Sequence, residues 1–162
     1  MTDEGYLRIT DRKKALFKLS TGKYVIPQPI ENSLMESPLV DQAVVVGQNQ
    51  KFCSALIFPG LEAVRLWAER NGVDTSLDDA ALLREPKVRA EFERLVAEAN
   101  AGMDHWSQVK RFHLVPEPMT IENELLTPTM KVKRARVREL YGTDIERMYV
   151  GEGPAKPVEA VG

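Results

Sequence analysis

The apolar positions of this chain follow two rhythms, and the switches between them mark out its elements. Residues 6–9 and 15–19 read as short strands, Gly22 as a turn, and "KYVI" (23–26) as the returning arm of a hairpin. Pro27 and Pro29 interrupt that pattern. Pro29 suits the first turn of a helix through about Ser37, with Ile30, Leu34 and Met35 facing inward and Glu31 near the positive end of its dipole. "DQAVVVG" (41–47) and "KFCSALIFP" (51–59) then predict a strand pair closed by "QNQ". The run Ala43–Val46 is apolar at successive positions, as in a central strand covered on both faces.

After Pro59-Gly60 the period becomes helical. Leu61, Val64, Trp67 and Ala68 form one stripe, ended by Asn71-Gly72. A second helix is predicted near 76–84. A third follows Pro86, with Val88, Phe92, Leu95, Val96 and Ala99 on one face. "QVKRFHLV" (108–115) alternates as a strand, "PEPMTIENELLTPT" is loop, and a last helix over about 133–141 is expected to stop at Gly142. Residues 151–162, rich in Gly and Pro, read as a flexible tail after a domain spanning 1–150. The order predicts an α+β fold: a small mixed sheet, made of an N-terminal hairpin and about three further strands, flanked by helices.

A chain of 162 residues buries roughly 70% of its unfolded surface without staples. The single cysteine, Cys53, excludes an internal disulfide and suits a reducing, cytoplasmic setting. No apolar run is long enough to cross a bilayer. The chain enters a strand-like run almost at once, which reads as part of a longer protein.

Net charge is −2, but the charge is segregated. Arg8, Arg12, Lys13, Lys14, Lys18 and Lys23 face only Asp11 in the first basic block. "LLTPTMKVKRARVREL" (125–140) forms the second, while 60–105 is acidic. Two basic blocks on an acidic chain suggest a localised anion site; a general nucleic-acid binder is more often basic throughout. A stand-alone anion- or nucleic-acid-binding module is the rival reading, weakened by the lack of interleaved exposed aromatics.

Within the second block Lys131 admits two placements. With Thr127 as N-cap and Pro128 as first helical residue, it lies in a helix first turn. With a helix starting after Val132, it stands in an exposed turn. It is either one cation of a solvated face or a phosphate contact. "STGK" (20–23) lacks the rest of a phosphate-loop pattern. His105 and His113 have no metal-ligand spacing, Cys53 reads as an inert core thiol, and Trp67 and Trp106 read as packing residues.

Two stretches together are more specific. "YLRITDRKKALFKLSTGKYVIPQPIEN" and "LLTPTMKVKR" resemble the opening hinge-and-loop motif and the terminal lysine motif of the C-terminal lid domain of AMP-forming acyl-CoA synthetases, most closely long-chain fatty-acid CoA ligases of the adenylate-forming superfamily. The resemblance covers about residues 5–150.

It implies ATP-dependent joining of a fatty acid to coenzyme A through an acyl-adenylate, with Mg²⁺ accompanying ATP and AMP and pyrophosphate released. It implies a large N-terminal adenylation domain as partner, a lid inactive alone, and a cytoplasmic enzyme, peripheral to membranes at most. By resemblance Lys131 reaches the α-phosphate and carboxylate during adenylation. Lys14, with Lys13 beside it, occupies the hinge. Arg12 lies near the ribose, with Asp11 its neighbour. Gly22, Lys23 and Tyr24 form the loop that enters the site for thioester formation. Tyr24 stands where acetyl-activating relatives carry an arginine near the CoA phosphates, which leaves Lys18 and Lys23 as substitutes.

Overall fold

A computed structural model describes residues 16–149 and the backbone of 159–160. The strand expected over 6–9 lies outside the described residues. Phe17–Lys18 (β1) and Tyr24–Val25 (β2) pair antiparallel, giving the expected hairpin. Val40–Val46 (β3) and Cys53–Pro59 (β4) pair antiparallel, and Val109–Leu114 (β5) runs parallel to β4. A parallel neighbour requires a long crossover. Three helices supply it: Leu61–Arg70 (α2), Asp79–Leu83 (α3) and Pro86–Asn100 (α4). Glu159–Ala160 (β6) adds two parallel residues beside β5, inside the segment read as a tail. The main sheet runs β3-β4-β5-β6 and is mixed, as the sequence suggests.

Alternation along the strands sends side chains into two cores. Ala43, Val45, Ala55, Ile57 and Phe112 meet Ile30 and Leu34 of α1 (Gln28–Met35), together with Val64, Ala68, Leu82, Val88, Phe92 and Val96 of α2–α4. On the other face Val44, Val46, Leu56 and Phe58 meet Val137 of α5 (Arg134–Leu140), along with Tyr141, Met148 and the loop residues Met119, Leu125 and Leu126. The layers are therefore helices, sheet, helices. Removing a ring such as Phe92, which is fully buried, would destabilise by about 3–5 kcal/mol.

Two expectations need correction. Among the described strands β3 lies at the edge of the sheet in the hydrogen-bonding direction, not at its centre. It is apolar on both faces because a helical layer covers each. Its open edge is partly closed by α1, whose Glu31 carboxylate accepts the Val45 N–H at 2.8 Å. Gly142 does not end the helical region either. Tyr141 closes α5, and Gly142–Arg147 (α6) starts at once, with Ile145 N–H donating to Tyr141 C=O. The Tyr141 ring packs edge-on against Phe58 at 5.6 Å, and Met148 is fully buried, so this turn keeps successive apolar side chains on the sheet. No helix among the described residues is long and apolar enough to cross a membrane.

Candidate functional site

Lys131 stands in a turn, not in a helix, which settles its two placements. Leu126 and Val132 form an antiparallel bridge. Between them Thr127 N–H donates to Lys131 C=O (2.8 Å), Met130 N–H to Thr127 C=O (2.7 Å) and Lys131 N–H to Thr127 Oγ1 (3.0 Å). Met130 takes φ 66°, a left-handed conformation that costs a side-chain-bearing residue about 1–2 kcal/mol. Strain of this kind persists only where the surroundings impose it. Here Leu125 and Leu126, both buried, and the Lys133 N–H to Leu125 C=O bond fix the stem. Lys131 is exposed, and among the described residues its ammonium has no hydrogen bond or ion pair. The turn is thus held by its backbone, and the charge is left for something outside it.

Three residues later Arg134, the first residue of α5, makes a two-pronged ion pair with Glu31. Its Nη1 donates to Oε2 at 2.8 Å and its Nη2 donates to Oε1. Glu31 is only 3% exposed and also holds the Val45 N–H. From the sequence Arg134 is only one more cation of the second basic block, and Glu31 only a carboxylate near a helix dipole. The structure instead joins α1 and α5, one from each layer, around the edge of β3. The missed signal is a carboxylate directly beside Ile30 in a short helix whose Ile30 and Leu34 face the core; a carboxylate there needs a partner if buried.

The second candidate element is the β1–β2 hairpin. Gly22 sits at its turn with φ 93°, a region closed to most side chains, and a Cβ there would meet nothing within 4 Å. Gly22 N–H donates to Leu19 C=O (2.9 Å), and Leu19 N–H to Lys23 C=O (2.8 Å). The hairpin is anchored at the β3–β4 turn: Ser20 N–H donates to Gln50 C=O, and Asn49 N–H to Lys18 C=O, both at 2.9 Å. Phe17 lies so close to Gly47 that a Cβ at Gly47 would come 2.9 Å from Phe17 Cε1.

Lys23 Nζ stands 4.6 Å from the Trp106 ring centroid, and Lys18 Nζ stands 5.8 Å from that of Tyr24, which is 60% exposed. Trp106 is 36% exposed and serves as a platform for a cation, a role that sequence reading did not give it. A groove of about 530 Å³ runs between the open end of the hairpin, at Phe17 and Pro27, and α5–α6, where Arg134, Arg138 and Tyr149 line it.

Asp11, Arg12, Lys13 and Lys14 lie outside the described residues. Cys53 is fully buried, and burial pushes its thiol from 9.0 up to about 12, so it is no nucleophile at neutral pH. His105 is exposed, and His113 Nε2 lies 3.8 Å from Asp144. Among the described residues no three His, Cys, Asp or Glu side chains converge as a metal site.

Comparison with known proteins gives these elements a context. Over 147 residues the chain is 38% identical to long-chain-fatty-acid–CoA ligase FadD15 of Mycobacterium tuberculosis, covering 91% of this chain and 24% of that protein. It is 36% identical over 146 residues to human long-chain-fatty-acid–CoA ligase 1, covering 90% and 21%. The chain therefore spans about a fifth to a quarter of these relatives. Among solved structures, the A domain of a carboxylic acid reductase from Segniliparus rugosus, in complex with AMP and a co-purified carboxylic acid, superposes with a TM-score of 0.68 at 26% identity, over 88% of this chain and 21% of that one. The model of the AMP-binding enzyme C-terminal domain matches residues 14–153, and the chain belongs to that family.

Proposed function

We propose that this chain is the lid of an ATP-dependent long-chain fatty acid–CoA ligase. In the first half-reaction a carboxylate oxygen attacks the α-phosphorus of ATP and pyrophosphate leaves. In the second the thiol of coenzyme A attacks the acyl carbon and AMP leaves. The observation that carries this reading is the Lys131 turn: an exposed ammonium without partners among the described residues, on a backbone locked by three hydrogen bonds. A cation brought to the α-phosphate offsets charge that builds on its oxygens as the new bond forms, and it does so best where the larger domain excludes water. Lys131 orients and stabilises; it transfers no proton.

The Glu31–Arg134 pair serves as the positioning device for that turn. The Gly22 hairpin, on a different element, is assigned to the thioester step. Its bare turn leaves room for the pantetheine arm, and Lys18, Lys23 and the Trp106 face offer charge and stacking surface for the CoA nucleotide. Rotation of the lid about the segment holding Lys13 and Lys14 would present the two elements in turn, with Arg12 and Asp11 toward the ribose. No residue of this chain is assigned to Mg²⁺, which accompanies ATP.

The acyl group and the final acceptor are selected by the large domain. The likeness to a carboxylic acid reductase A domain supports a second reading, an acyl-adenylating lid whose acceptor is other than CoA. In the full-length protein, single-turnover assays of acyl-adenylate formation and of thioester formation, with CoA offered against other thiols, test both readings. The 162-residue chain alone is expected to turn over neither step.

A further inference from the structure

A second cationic cavity lies away from both elements, where α3, the start of α4, the end of β5 and α6 meet. It encloses about 170 Å³ and is lined by Arg84, Arg89, His113 and Arg147, with Leu83 and Leu114 among its apolar walls. Among the described residues no acidic side chain lines it. Asp144 stands at its margin, 3.4 Å from Arg147 and 3.8 Å from His113. Arg84 and Arg89 form no ion pair with any described acid. Arg89 Nε is buried and has no acceptor among the described residues.

A guanidinium does not shed its proton, and a buried N–H without an acceptor is unfavourable. The guanidinium groups of Arg84, Arg89 and Arg147 repel one another around the cavity, only Arg147 being offset by Asp144, and a single bound anion relieves this repulsion and the unmet Arg89 Nε–H together. The volume equals that of about five or six liquid waters, which fits one oxyanion with part of its hydration but not the whole of a nucleotide. Three guanidinium forks offer more N–H groups than the two oxygens of a carboxylate accept, whereas a tetrahedral dianion presents four oxygens.

We propose that this cavity binds a phosphate-sized dianion, carried by a small soluble molecule, with Arg89 donating its buried Nε–H to it. The site is independent of the ligase reading and of Lys131. Arginine Nε–Hε resonances of the 162-residue chain, followed by NMR at constant ionic strength as inorganic phosphate is added, test it. The Arg89 resonance is expected to move saturably, with a dissociation constant of about 1 mM or lower. Arg84→Gln is expected to weaken binding about tenfold. Arg94→Gln, on the outer side of α4 and already paired with Glu91 and Glu98, is expected to leave it unchanged.

Acetate in place of phosphate is expected to give no saturable shift. The proposal is overturned by a response that never saturates, by equal binding of acetate, or by equal weakening in Arg84→Gln and Arg94→Gln. It is also overturned if the chain pellets with phosphatidic acid vesicles in an Arg84-dependent way yet ignores inorganic phosphate. Arg89→Gln is expected to abolish the saturable phosphate shift of the Arg84 and Arg147 resonances, and melting curves of that variant separate lost binding from lost folding. If Arg89→Gln does not fold, Arg84→Gln decides.

Discussion

Glu31 and Arg134, 103 residues apart in sequence, form a two-pronged ion pair that ties the two helical layers together at the edge of β3. Removing one partner of a buried pair leaves the other charge uncompensated, which typically costs about 3–5 kcal/mol. Arg134 keeps some contact with water, so the lower end applies: Glu31→Ala is expected to destabilise by about 3 kcal/mol in urea unfolding. Arg134→Lys keeps the charge but loses the fork and is expected to lose about 1 kcal/mol. In the full-length enzyme Glu31→Gln is expected to slow adenylation more than thioester formation. Equal slowing of both would remove the positioning role.

Gly22 lies on an open turn at φ 93°, so a side chain there has two separate effects. The strain is local, while obstruction of a ligand path depends on side-chain size. Gly22→Asn tolerates a left-handed backbone better than Gly22→Leu. We expect Asn to lower the melting temperature less than Leu, and Leu to abolish thioester formation while acyl-adenylate still accumulates. Loss of adenylation in Gly22→Leu would detach the hairpin from the second step.

Cys53 makes stability fall in alkali. Its folded thiol is raised by burial from 9.0 to about 12, so above pH 9 the unfolded chain sheds the proton while the folded chain holds it. The folded state then binds more protons, and unfolding free energy declines with rising pH. The contribution is whole below pH 9 and is lost between 9 and 12. Tyr149, whose hydroxyl donates to Phe52 C=O at 2.9 Å, is also raised by burial and adds in the same direction. Cys53→Ala is expected to flatten the decline between pH 9 and 11 in urea titrations. An unchanged slope would show that the thiol titrates normally in the fold.

Most of the fold was legible because its signals are local. The stripe Val88, Phe92, Leu95, Val96, Ala99 gave α4, and Pro29 gave the first turn of α1. The unbroken apolar run Ala43–Val46 in β3 gave two buried faces, but not which strand lies at the edge, because strand order depends on long-range pairing. α6 was missed because Gly142 follows a complete helical stripe; the spacing of Tyr141, Ile145 and Met148 was the available clue. For the site, the motif around Lys131 was readable, while its support was not. Glu31 and Trp106 acquire their roles from partners far along the chain, Arg134 and Lys23, and no spacing rule links such pairs.

Lys131 carries the central claim, and its exposure makes the test clean, since surface substitutions usually change stability by no more than about 0.5 kcal/mol. The measurement is single-turnover kinetics of the two half-reactions in the full-length enzyme with Lys131→Ala. Acyl-adenylate formation from ATP and acid is expected to slow by about 10²–10³-fold. Thioester formation from supplied acyl-adenylate is expected to stay within about threefold of the unsubstituted enzyme, well under a kcal/mol in barrier. Adenylation at the unsubstituted rate, or equal loss of both steps in a folded variant, would contradict the account.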